Sequence, residues 1–142
     1  MKTLLFLSTF FISFYLNVTE DKNTVEVTIS DIASSEGNIV IGIYNKENTF
    51  PKYKEIYQGK VIPAQKGKVQ CAITNLPKGE YAIAVWHDEN NNNELDKNWV
   101  GIPKEKYGFS NNPDSKFGPP DFKEAAFNFN QNKTISLTIK LN

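Results

Sequence analysis

The sequence contains no arginine: its 16 basic residues are all lysines, balanced by 16 Asp and Glu. Bidentate contacts to phosphates and base edges are chiefly arginine contacts, and the lysines form no basic run. Both facts argue against nucleic acid as a partner and against a polybasic membrane-binding surface. There is one cysteine, Cys71, so no disulfide can form within the chain. It lies on the apolar side of the alternation Val69-x-Cys71-x-Ile73, as a small core residue does, not a nucleophile. There is also one histidine, His87. A histidine-based zinc site needs several spaced His and Cys ligands. A catalytic triad needs an activated Ser or Cys, and no G-x-S-x-G turn is present. The chain therefore reads as a non-enzyme, with His87 as a strand-end residue orienting the loop after it. No apolar repeat at helical spacing lasts three turns, which excludes a helical bundle.

What is present begins with an apolar run. Met1-Lys2 gives a positive start, residues 3–18 are uncharged and mostly apolar, and Glu20 and Asp21 end the run. This is the pattern of a secretory signal peptide, assigned to residues 1–19. It is short for a membrane span. The expectation is an exported protein, periplasmic or extracellular, with no membrane insertion after signal cleavage, and a single domain over residues 20–142.

Beyond residue 20, period-two alternation dominates. Val25, Val27 and Ile29 mark one strand, and Ile39, Ile41 and Ile43 a second. Residues 56–62 form a weaker strand closed by Pro63. Val69, Cys71 and Ile73 mark the next, followed by a strand over 81–87 and a last one over 134–141. Strands separated by Gly, Pro and Asn turns predict an all-β, antiparallel sandwich. In the turn Leu76-Pro77-Lys78-Gly79-Glu80-Tyr81, Pro and Gly set the bend. Tyr81 is placed to bond back to the backbone, like the tyrosine corner of immunoglobulin-like sandwiches. Residues 88–127 show little alternation but many aromatics, and read as one long ordered loop.

That loop opens with Asp88-Glu89-Asn90-Asn91-Asn92-Asn93-Glu94-Leu95-Asp96. Taking Asp88 as position one of a calcium loop, Asp88, Asn90, Asn92 and Asp96 fall at positions one, three, five and nine. Glu94 falls at position seven, where the backbone carbonyl binds. Asn93 stands where Gly makes the sharp turn, and Asn best replaces Gly in the left-handed conformation. Calcium takes six to eight hard oxygen ligands. The expected metal set is Asp88, Asn90, Asn92, Glu94 and Asp96. Position twelve is Trp99, so a ligand must come from elsewhere; Asn111, Asn112, Asp114 and Asp121 are candidates. A second reading takes Trp99, Tyr107, Phe109 and Phe117 as a platform for a carbohydrate or peptide.

Several blocks together resemble a known family. They are Leu76-Pro77-x-Gly79-x-Tyr81-Ala82, His87-Asp88-Glu89-Asn90-x-Asn92, Leu95-Asp96, Gly101-Ile102-Pro103-x-Glu105-x-Tyr107-Gly108-Phe109-Ser110-Asn111-Asn112 and Phe117-Gly118-Pro119-Pro120-x-Phe122. In these the chain is similar to the bacterial exported domain of unknown function numbered 2141. The resemblance implies a secreted or periplasmic single domain with a prealbumin-like sandwich, and it implies no activity. Family loops usually carry Gly where this chain has Asn93.

Overall fold

A computed structural model describes residues 23–114, 117–130 and 133–142. The predicted signal peptide lies outside them. Eight strands form two sheets: β1 (Val25–Ile32), β2 (Asn38–Tyr44), β3 (Gln58–Pro63), β4 (Gly67–Ile73), β5 (Gly79–Asp88), β6 (Tyr107–Phe109), β7 (Phe127–Phe129) and β8 (Ile135–Lys140). Among the described residues a 3-10 turn (Tyr53–Glu55) precedes β3 and a short helix, α1 (Phe122–Ala125), precedes β7. The smaller sheet has the order β4-β1-β8, and the larger has β3-β2-β5-β6, with β7 also pairing with β5. The chain is an all-β sandwich.

Two findings refine the expectation. β8 runs parallel to β1, from Val25 opposite Ile135 to Ser30 opposite Lys140, in an otherwise antiparallel fold. The chain crosses from β7 in one sheet to β8 in the other and enters β8 at the end where β1 begins, so the two strands share a direction. The segment read as one long loop also contains β6, α1 and the start of β7.

The alternating residues do what period two dictates. Val25, Val27 and Ile29 of β1, with Ile139 of β8, meet Ile39, Ile41 and Ile43 of β2 and Ile83 and Val85 of β5 in the inter-sheet core. Cys71 packs against that core and is only half-buried. Burial raises its thiol pKa, and Lys60 partly offsets the rise. β2 and β5 are buried on both faces. On the outer face of the larger sheet, Tyr44, Ala82 and Ala84 pack with Phe50, Phe109, Phe122 and Ala125 in a second core. The Phe50 ring meets Tyr44, Phe109 and Phe122 edge-on at 5.3, 5.7 and 5.9 Å. Three aromatics of the excursion, Tyr107, Phe109 and Phe122, thus cover the sheet that carries the 88–96 loop.

The tyrosine corner forms as read. The Tyr81 hydroxyl donates to the Pro77 carbonyl at 2.8 Å. Tyr81→Phe should lower stability by about 1 kcal/mol, the net worth of one hydrogen bond. The expected readout is a lower urea midpoint with unchanged slope.

Candidate metal-binding loop

The loop starts where β5 ends. Asp88 pairs with Asn38 of β2 and has no exposed surface. Its Oδ1 accepts from the Asn92 N–H at 3.1 Å and its Oδ2 from the Asn93 N–H at 2.9 Å. The chain therefore folds back over the carboxylate. Asn91 and Asn93 both take φ of 60° to do so, the conformation that Asn adopts more readily than other non-glycine residues. Asn93 occupies the sharp-turn position as its sequence place implied.

Further Asx turns tie the asparagine oxygens to the loop's own backbone. Asn90 Oδ1 accepts from the Asn92 N–H at 3.1 Å, and Asn92 Oδ1 from the Glu94 N–H at 2.8 Å. The two amide groups converge on Asp96: Asn90 Nδ2 donates to Oδ2 at 2.6 Å and Asn92 Nδ2 to Oδ1 at 2.9 Å. Asp88, Asn90, Asn92 and Asp96 are thus brought together by one turn of chain. The Glu94 side chain is exposed, which leaves its backbone carbonyl as the donor expected at position seven.

One brace was not visible in the sequence. Glu105, 9% exposed, accepts from the Glu89 N–H through Oε1 and from the Asp96 N–H through Oε2, both at 3.0 Å. A single buried carboxylate therefore fixes both ends of the loop. Spacing gave no hint of it; the signals were its place in one of the quoted family blocks and an acid inside an aromatic segment. Among the described residues, no lysine forms an ion pair with Asp88, Asp96 or Glu105.

The base of the loop is held from the β1–β2 turn. His87 is fully buried, and its Nε2–H donates to the Glu36 carbonyl at 2.8 Å. Its Nδ1 has no hydrogen-bond partner among the described residues and lies 3.5 Å from Glu89 Oε1. Gly37 (φ 69°) sits so close that a Cβ there would lie 2.0 Å from the Asp88 carbonyl oxygen.

The candidates for a further ligand are used elsewhere. Asn111 donates to the carbonyls of Glu124 and Ala126. Asn112 donates to the Thr138 carbonyl and accepts from the Lys140 N–H, both at 2.7 Å. Asp121 stands at the start of α1 in a capping box: its carboxylate accepts from the Glu124 N–H, and its own N–H donates to the Glu124 carboxylate at 2.8 Å. Each completes backbone hydrogen bonding, because helix ends and strand edges leave such groups unpaired. Asp114 is exposed.

The four aromatic candidates separate. Phe109 is buried in the second core, and Tyr107 packs against that core. Trp99 and Phe117 are 96% and 102% exposed. No common platform joins all four.

Residues 27–136 match the family described as "uncharacterized protein conserved in bacteria" (DUF2141). The chain belongs to this family. No curated protein and no solved structure matches it. The matched span runs from β1 into β8 and contains the whole 88–96 loop, Glu105 and the aromatic excursion.

The donor set defines which ion would fit. Among the described residues, no three His, Cys, Asp or Glu side chains cluster closely enough to hold a metal by themselves. A cation in this loop would need the asparagine oxygens and a carbonyl as well. All of these are hard oxygen donors, which suit calcium and not zinc. Each carboxylate oxygen has a second lone pair, so accepting one N–H leaves room for an ion.

Proposed function

We propose that the chain is an exported, non-catalytic sandwich module whose 88–96 loop binds one calcium ion. Export is supported by the apolar run at residues 3–18 and by its pattern. The calcium reading is carried by one observation: a wholly buried carboxylate, Asp88, stands under a turn that gathers Asn90, Asn92 and Asp96. Asp88, Asn90, Asn92, the Glu94 carbonyl and Asp96 supply five positions, and water completes the six that calcium requires. On binding, the Asp96 oxygens exchange the two amide donors for the ion. The ion locks the loop onto β5 and, through Asp96 and Glu105, onto the approach to β6. With two carboxylates in the loop, the affinity is weak, roughly 10⁻⁴–10⁻³ M.

Calcium that binds only the folded state stabilises it by RT ln(1 + [L]/Kd). At about 10 mM calcium this amounts to about 1.4–2.7 kcal/mol for that affinity range. Thermal unfolding should then shift upward by roughly 5–10 °C relative to chelator. Magnesium dehydrates reluctantly and demands octahedral geometry, so it should shift the midpoint far less. An unchanged midpoint in calcium would make the asparagine run a self-satisfied turn.

A second reading, a carbohydrate- or peptide-binding module, has the exposure of Trp99 and Phe117 in its favour. Loss of ligand binding in Trp99→Ala with an intact fold would support it.

A further inference from the structure

Immediately after the loop the chain makes a tight hairpin. Lys97 bridges to Pro103, and the Lys104 N–H donates to the Asp96 carbonyl at 2.8 Å. At its tip, Trp99, Val100 and Ile102 are 96%, 53% and 60% exposed. They form an apolar prong, not a pocket, so the convex shape gives little to a sugar or small ligand. We infer that this tip docks the domain onto an anionic lipid bilayer, with Trp99 seated at the headgroup level.

Three features favour a bilayer over a protein surface. First, the N–H groups of Asn98, Val100, Gly101 and Ile102 are paired within the tip. The Asn98 side-chain oxygen accepts the Val100 and Ile102 N–H groups at 3.0 and 2.9 Å. The Asn98 carbonyl accepts from Gly101 at 2.9 Å, and the Ile102 carbonyl accepts from Asn98 at 2.8 Å. Free N–H groups are what make a loop costly to place in lipid, and these donors are already paired. Second, the leading side chain is tryptophan, whose ring has an apolar body and a polar N–H and is enriched at membrane interfaces. Third, the hairpin base carries Lys97 and Lys104, both exposed. They are seven residues apart in the chain and form no basic run, but the hairpin puts them on adjoining strands. Their long stems let the ammonium groups reach lipid phosphates while the tip enters. The contact is shallow: among the described residues, no helix is long and apolar enough to cross a membrane.

The test uses vesicles of phosphatidylglycerol and phosphatidylcholine, in chelator and in calcium, with co-sedimentation and tryptophan emission as readouts. Trp86 is buried, so a vesicle-induced blue shift reports Trp99. The expected result is pelleting with a blue shift in at least one medium, reduced at least about tenfold in Trp99→Ala. Lys97→Glu with Lys104→Glu should weaken it further as phosphatidylglycerol content rises. The thermal midpoint of Trp99→Ala should stay unchanged, because the side chain makes little contact with the fold. Docking is judged separately from calcium binding, since binding in chelator alone would support it. A wild-type chain that stays in the supernatant with unmoved emission in both media would overturn the inference and leave a protein surface as the occupant. So would a Trp99→Ala variant that pellets as well as the wild type.

Discussion

Asp88→Ala should destabilise the domain by about 2–4 kcal/mol and remove its calcium response. Each hydrogen bond to a charged group contributes about 1.5–3 kcal/mol, and Asp88 accepts two from the loop backbone. The loss falls short of their sum because Asn92 and Asn93 are exposed and their N–H groups can return to water. Asp88→Asn separates the two roles. It keeps one carbonyl oxygen as acceptor but removes the charge, so it should recover part of the stability and none of the calcium binding. Urea unfolding in chelator gives the first quantity. The calcium-induced midpoint shift gives the second.

Gly37→Ala should cost about 2–4 kcal/mol and weaken calcium binding, although Gly37 is no ligand. Two effects add. Ala at φ 69° is strained by roughly 1 kcal/mol. Its Cβ would also meet Asp88 and Glu89 backbone atoms at 2.0–2.8 Å, which no rotamer change relieves. Overpacking of that kind costs about 1–3 kcal/mol. The loop base would have to move, carrying Asp88 with it. Gly37→Asn tolerates the positive φ better but still adds the Cβ, so it should be nearly as damaging. Gly67→Ala is the control: its φ is 95°, yet nothing lies within 4 Å of an added Cβ. It should show the strain alone.

The strands were legible because their cores alternate. Val25-x-Val27-x-Ile29 and Ile39-x-Ile41-x-Ile43 had to face one side or expose a row of branched side chains. Turn chemistry was legible for the same kind of reason: Pro77, Gly79 and Tyr81 each have a narrow set of conformations or partners. β6 was not legible. It has three residues, one of them Gly108, and is defined by tertiary contact. A Cβ at Gly108 would lie 2.3 Å from the Lys140 carbonyl oxygen, so glycine there reflects the close passage of β8. The parallel direction of β8 was likewise set by how the chain crosses between sheets, which local pattern does not encode.

In the candidate loop, the residues that spacing singled out, Asp88, Asn90, Asn92 and Asp96, lie on one hydrogen-bonded turn. Spacing could not tell a ligand from a backbone bracket. Asn111, Asn112 and Asp121 have the side chains of ligands, but those side chains serve backbone groups, of distant elements for the two asparagines and of α1 itself for Asp121. Glu105 is the converse: a carboxylate that belongs to a quoted family block but to no ligand spacing, and that holds both ends of the loop. Burial of the carboxylate was the informative property, and it exists only in the folded chain. Tyr44 shows the same dependence on context. Its phenol, pushed up to about 12 by burial and then by Tyr53, stays neutral inside the second core.

Calorimetric titration of the domain with calcium tests the central claim most directly. The expected result is one saturable site per chain, with a dissociation constant of roughly 10⁻⁴–10⁻³ M, much weaker magnesium binding and no site in Asp88→Asn. Absence of a saturable calcium site, or a site that survives Asp88→Asn unchanged, would contradict it.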